Sequence, residues 1–403
     1  MGKRKRTRNR KKEREKKQIE RTKSALELAL EKVELVFQVA ELKEIGIKKK
    51  KLRKETYISY KKSMATMLTD ISKMEGPNYK RLSPTHMNGK MWDKYFEHLI
   101  DRYDKGSLSA GQIQRRIHAL ELFRKTVNDT DLFGIDITIR VGNKEERLDY
   151  LKERGVLRSQ DEVTAIKPTK RDIDAVQAHF NTSTRNGKIS LVINQLQEEC
   201  GGRIKSIFKL LVNDIDFEKK KITFRNDKNN FTRTIPMTVA AEKLLRDACD
   251  GKKPGSPVFA LQHSNGNDMN LENAVETVQR YTKNAAKKAG VSREERRFTT
   301  HSNRKYYAQK LYDSIRFMST YQIRKMIGEY VRAQGSNEEI IIERMRKELD
   351  RINYYRKKHN LPKRGLTHEQ YRKMCVSLHL GHSRISVLSS YIVVDKYQSK
   401  NFR

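Results

Sequence analysis

Residues 220–237, KKITFRNDKNNFTRTIPM, restrict the fold more than any other part of this sequence. Apolar and polar residues alternate at a period of two on both sides of a polar DKNN turn, which predicts a β-hairpin with one buried face. Other periodic segments repeat at helical spacing instead. Leu26, Leu30, Val33, Phe37, Ala40 and Leu42 form one stripe, interrupted at Gly46. Tyr57, Met64, Leu68 and Ile71 form a second, Met91, Tyr95, Phe96 and Leu99 a third that ends near Gly106, and Ile113, Ile117, Leu120 and Phe123 a fourth. The fold class predicted is therefore mainly α with a small β-sheet or hairpin.

The 403 residues suffice for two or three domains, and a hydrophobic content of 36% is that of a folded chain. Lysine and arginine number 87 against 50 acids, a formal charge of +37, so the natural counter-surface is a polyanion. DNA, RNA and an anionic membrane all qualify on charge. No run approaches the roughly 18 apolar residues of a membrane span, and the N-terminus lacks the apolar segment of a signal peptide. No membrane partner is expected, and the expected location is cytoplasmic and nucleoid-associated. Cys200, Cys249 and Cys375 are widely separated and fit no CxxC metal pattern, so no metal is expected and the thiols read as buried and reduced.

Residues 3–23 are strongly basic and almost free of apolar side chains, the composition of a solubilising tail, of a nuclear-import signal or, favoured by the charge of the rest of the chain, of an arm that binds phosphates without reading sequence. With the first amphipathic helix they make an N-terminal segment, residues 1–50. Residues 51–160 read as a helical domain. In its last helix the apolar stripe is backed by Arg115, Arg116, Arg124 and Lys125, so one face is expected to pack and the other to meet phosphates. IKPTKRDIDAV, residues 166–176, looks like a new beginning: Pro168 breaks the chain, Thr169 can cap, and Asp172 and Asp174 suit a first helical turn. A third domain is therefore drawn over residues 167–403. Within it LVINQLQEEC reads as a buried helix running into Gly201-Gly202-Arg203.

From here the sequence resembles the tyrosine recombinases, the lambda-integrase-like family. Arg203 falls at the arginine of the family's first catalytic block, and the DID at 214–216 matches as well. Lys228, five residues before Arg233, takes the place of the hairpin lysine, while Arg233 with Pro236 resembles the arginine-then-proline second strand. His301-Ser302-Asn303-Arg304 matches HxxR, and LGHSRISVLSSY matches the last block, with His382 nine positions before Tyr391. These blocks span roughly half the chain, and SAGQIQRRIHALELF is similar to the core-binding domain that precedes them. The resemblance implies a helical core-binding domain followed by an α+β catalytic domain. It further implies a site-specific DNA recombinase, an integrase or transposase of a mobile element, working through a 3′-phosphotyrosyl intermediate without cofactor. The implied partners are double-stranded DNA, three further copies of the chain in a tetramer on two duplexes, and in some systems an accessory DNA-bending protein.

The chemistry explains the residue types. A tyrosine hydroxyl, with a pKa of about 10, must attack a phosphodiester whose negative charge grows in the transition state. Arg203 and Arg304 can supply planar bidentate donors to the nonbridging oxygens, which lysine cannot match in geometry. His301, one helical turn from Arg304, suits relay of the nucleophile's proton, and Lys228 suits protonation of the departing 5′-oxygen. By resemblance His382 donates to the scissile phosphate and supports the turn that presents Tyr391, and Arg233 joins the DNA-binding set.

The pattern also departs from the family. Ser206 stands where a glutamate is usual, Asn303 replaces a leucine, and Cys200-Gly201-Gly202 alters the approach to Arg203. Arg304 and Tyr391 are 87 positions apart, more than in compact members, which places a helical insertion at about 313–375. Within it Ser336 or Asn337 is the expected cap, with Ile341, Met345, Leu349 and Ile352 on one stripe. Two other classes compete with an active recombinase: a noncatalytic DNA-binding regulator on the same fold, and a telomere-resolvase or topoisomerase IB-like relative.

Overall fold

A computed structural model describes residues 24–47, 52–76, 82, 85, 89–134, 144–156, 166–227, 231–292 and 297–394. Lys228 and the basic run at 3–23 lie outside the described residues. The chain divides into two compact units, residues 1–162 and 163–403.

The first unit is helical: α1 (Ala25–Leu42), α2 (Lys54–Glu75), α3 (Gly89–Asp104), α4 (Ala110–Thr130) and α5 (Lys144–Glu153). Ser24 and Ser109 start α1 and α4 with reciprocal capping boxes to Glu27 and Gln112, which satisfy otherwise orphaned amides. Helix α1 is not a separate arm element: Ala29, Val33, Val36, Phe37 and Ala40 share one core with Trp92, Tyr95, Leu120 and Phe123. The predicted stripe of α1 ends earlier than expected, because Leu42 is exposed.

The second unit packs α6 (Lys170–Ala178), α7 (Arg185–Cys200), α8 (Ile204–Phe208), α9 (Val239–Cys249), α10 (Leu271–Lys288), α11 (Thr300–Ser314), α12 (Thr320–Arg332), α13 (Glu338–Lys358) and α14 (His368–His379) round a small sheet. Thr169 caps α6 and exchanges bonds with Asp172, as the sequence predicts. The hairpin is present as β2 (Lys221–Phe224) and β3 (Arg233–Pro236), in the register Phe224 opposite Arg233. A two-residue strand β1 (Ile215–Asp216) adds antiparallel to β2, giving the order β1-β2-β3. Ile222, Phe224 and Ile235 put the inner face into the core with Ile193, Leu196 and Tyr307. The outer edge of β3 is covered by one side chain: Gln334 accepts from the Thr234 amide at 2.8 Å and donates to its carbonyl at 2.7 Å.

Two glycines set the approach to the site. Gly201 ends α7 with φ +57°, and a Cβ there would lie 2.3 Å from the Tyr307 ring. Gly381 has φ +64°, and a Cβ would lie 2.8 Å from Arg233 Cδ. Between residues 313 and 375 the flanking helices α12 and α14 join the core through Ile323, Ile327, Met374 and Cys375. The first half of α13 joins it too, through Ile341, and the rest of α13 with the loop after it departs. The expected side-chain cap of α13 is absent: a 3₁₀ turn, Gly335–Asn337, runs directly into it. Asn337 bonds the Thr232 carbonyl instead.

Candidate active site

Arg203 leaves the end of α7 at the first position before α8, and Arg304 lies in the first turns of α11. The chain returns after α14 through Gly381 to His382, then through a 3₁₀ turn, Ile385–Ser390, to Tyr391. These segments bring four side chains to one point. His382 Nε2 lies 3.3 Å from the Tyr391 hydroxyl, 3.4 Å from Arg203 Nη2 and 3.4 Å from Arg304 Nη2. The His301 ring meets the Tyr391 ring edge-on at 5.1 Å, and the Arg304 guanidinium sits 5.8 Å from the same ring. Tyr391 is 7% exposed, so its hydroxyl faces these groups with little competing water.

Arg304 is buried and held by the carbonyls of Gly201 and Leu380, which ties the ends of α7 and α14 to it. Burial, and then the neighbouring Arg203, lower its pKa to about 10, so it stays cationic at neutral pH. Desolvation by the atoms packed round His301, followed by Arg304, Lys305 and Arg203, lowers that ring to about 4. At neutral pH the imidazole is therefore uncharged and can accept a proton.

Arg203 is fixed from an unanticipated side. Asp227, the last described residue of the outgoing hairpin, accepts from Arg203 Nη1 at 2.6 Å, Ser206 Oγ at 2.6 Å and Arg233 Nε at 2.8 Å. Burial alone would raise its carboxyl, but Arg233 and Arg203 outweigh it and hold the group well below the usual carboxylate range. Ser206 thus donates to a carboxylate that the hairpin supplies. In the sequence Asp227 reads as an ordinary turn residue; the signal that could have found it is the missing glutamate at 206, which leaves Arg203 in need of an acid.

The turn bearing Tyr391 is secured at both ends. At its start the Ile385 amide donates to Glu348 of α13 at 2.8 Å. At its close Lys167 Nζ donates to the Ser389 and Ile392 carbonyls, both at 2.8 Å. Neither residue stands out in the sequence, where Lys167 precedes a helix and Glu348 sits among charged neighbours.

The residues expected to bind DNA are placed differently from one another. Arg115 is exposed on α4. Arg116 is only 8% exposed and pairs with Asp70 at 3.5 Å, so it is part of the seam between α2 and α4 rather than a phosphate-facing residue. Arg124 forks onto Glu121, and Lys125 donates to the Gly46 carbonyl. Arg233 is 0% exposed, bonded to Asp227 and the His379 carbonyl and stacked on Phe224. A fully buried guanidinium cannot touch DNA directly; its place is behind Arg203. Among the described residues no three His, Cys, Asp or Glu side chains gather as a metal site.

Residues 169–328 match the phage integrase family model. The chain therefore carries a phage integrase (tyrosine recombinase) family domain over less than half of its length. The matched span contains Arg203, His301 and Arg304 and ends before His382 and Tyr391. No curated protein matches the chain. A lambda integrase tetramer bound to a Holliday junction is 15% identical, with a TM-score of 0.48 over 72% of this chain and 73% of that one. A Tn1549 transposon integrase in complex with a circular intermediate DNA is 14% identical, with a TM-score of 0.49 over 91% and 97%. The XerA recombinase is 14% identical, with a TM-score of 0.35 over 93% and 99%. At these values the likeness decides neither substrate nor mechanism.

Proposed function

We propose that this chain is a site-specific DNA recombinase of a mobile element, cutting and rejoining DNA through a 3′-phosphotyrosyl intermediate. The observation that carries the reading is the sharing of one imidazole nitrogen, His382 Nε2, by the Tyr391 hydroxyl and the ends of two guanidinium groups. That arrangement supplies a nucleophile beside paired cationic donors, as in-line attack on a phosphodiester requires. Arg203 and Arg304 hold the nonbridging oxygens, neutral His301 accepts the proton of Tyr391, and His382 donates to the phosphate. Lys228 follows Asp227 in sequence and is assigned the proton for the 5′-leaving oxygen. The phosphotyrosine bond conserves the energy of the broken linkage, so rejoining needs no nucleotide cofactor. The formal charge of +37 favours the polyanionic substrate, and a tetramer on two duplexes is the working assembly.

The test is covalent trapping on nicked duplexes that carry the natural element's ends. The intact chain should yield a 3′-linked adduct. Tyr391→Phe should bind the same duplexes within a few-fold and yield none. An adduct with Tyr391→Phe would overturn the assignment, and binding without any adduct from the intact chain would favour a noncatalytic regulator.

A further inference from the structure

Helix α13 is rooted in the second unit for its first half only. Ile341 is fully buried, Ile342 and Met345 pack against the core, and Glu348 is 2% exposed. Beyond that point the helix and the following loop run out along the surface, and residues 357–365 are all exposed. Charge divides at the same place. The five acids of this excursion lie within residues 338–350, whereas residues 351–366 contain no acid at all. A helix macrodipole accounts for cations in the last turn of α13, Lys357 and Lys358 included. It does not account for Lys363 and Arg364, which lie past the helix end. None of these four makes an ion pair within the described residues, and Tyr354 and Tyr355 stand exposed beside them at 63% and 53%.

This tip is built rather than frayed. Arg356 Nε donates to the Pro362 carbonyl at 2.7 Å, and Asn353 accepts from the Arg364 amide at 3.1 Å, folding the loop back onto the helix. The root, in turn, reaches both the hairpin and the nucleophile turn. Arg344 stacks on Phe231 at 4.5 Å, Asn337 bonds the Thr232 carbonyl, and Glu348 accepts from Ile385 at the start of the turn that carries Tyr391.

We propose that the tip of this excursion, centred on Lys357, Lys358, Lys363 and Arg364, grips the phosphates of duplex DNA outside the reacting site. Glu348 and Arg344 fix the register of that grip to the Tyr391 turn and to the hairpin. The inference rests on the reading of the chain as a DNA recombinase. Lysine and arginine without partner acids gain from counterion release on DNA, a benefit independent of base sequence.

The experiment compares full-length protein with a Lys357→Gln, Lys358→Gln, Lys363→Gln, Arg364→Gln variant, titrating a labelled duplex at several salt concentrations. Glutamine keeps helix propensity, so melting should be unchanged. The variant should bind every duplex more weakly, with a salt slope shallower by about 0.9 for each phosphate no longer neutralised. A photo-cross-linking residue in place of Tyr355 should attach to DNA. An unchanged slope, or a cross-link only to a second copy of the chain, overturns the proposal while leaving the recombinase reading standing. If the unaltered protein binds no duplex even at low salt, both fall together.

Discussion

Asp227→Asn separates a scaffolding carboxylate from a bystander. The carboxylate accepts three close bonds and is almost fully enclosed, and Arg233 beside it has no exposed surface. The amide keeps the shape but removes the charge, leaving Arg233 buried without its anion; losing one partner of a buried pair costs about 3–5 kcal/mol. In a unit of this size that lowers Tm by roughly 6–20 °C, at about 2–4 °C per kcal/mol. The pH dependence has a definite sign. Asp227 is shifted below its ordinary value in the folded chain, so its contribution is fully present above the unfolded pKa of about 3.9 and is lost as pH falls through the folded value. Melting of the full chain and the variant, followed from pH 7 into the acid range, should show a gap that narrows only below about pH 4. Ser206→Glu added to Asp227→Asn should recover part of the loss, since it restores an acid next to Arg203. A gap under about 2 °C at pH 7, or one that does not narrow in acid, refutes the scaffold role.

Three further outcomes are expected. Arg203→Lys and Arg304→Lys should each lose on the order of 10²-fold or more in cleavage, because one oxyanion donor is worth about 3 kcal/mol; near-normal rates would show the clamp lies elsewhere. In the DNA-free protein the His301 ring should titrate near 4 by NMR, and a midpoint at 6 or above would remove the stated environment. Lys167→Met should slow adduct formation at saturating DNA with affinity unchanged, since it removes the bonds to the carbonyls flanking Tyr391; Lys167→Arg should restore part of the rate, and weaker binding with a normal rate would contradict this.

The periodic part of the structure is legible in the sequence because its signal is local. The alternation in KKITFRN and FTRTIPM specifies β2 and β3, and the stripes of α2, α3 and α4 name the residues that are buried. Strand β1 escapes because two residues cannot display a period. The grouping of Arg203, Arg304, His382 and Tyr391 is what the family resemblance implies, but it names none of their supports. Asp227, Lys167 and Glu348 act on partners 24, 222 and 37 positions away, through bonds that no local pattern encodes. Arg116 and Arg233 mislead for a related reason. A basic residue on a helix or strand reads as surface until an acid, here the half-buried Asp70 or the buried Asp227, is known to face it.

The outer edge of β3 carries a consequence of a different kind. An unpaired strand edge is a template on which another chain can add, the first step of intermolecular sheet growth. Here Gln334 turns both ends of its amide to Thr234, imitating one residue of a fourth strand, and its Nε2 also donates to the Tyr330 carbonyl in α12 at 2.8 Å. The side chain is a plug against self-association, and any chain that would extend the sheet past Thr234 must first displace it from α12.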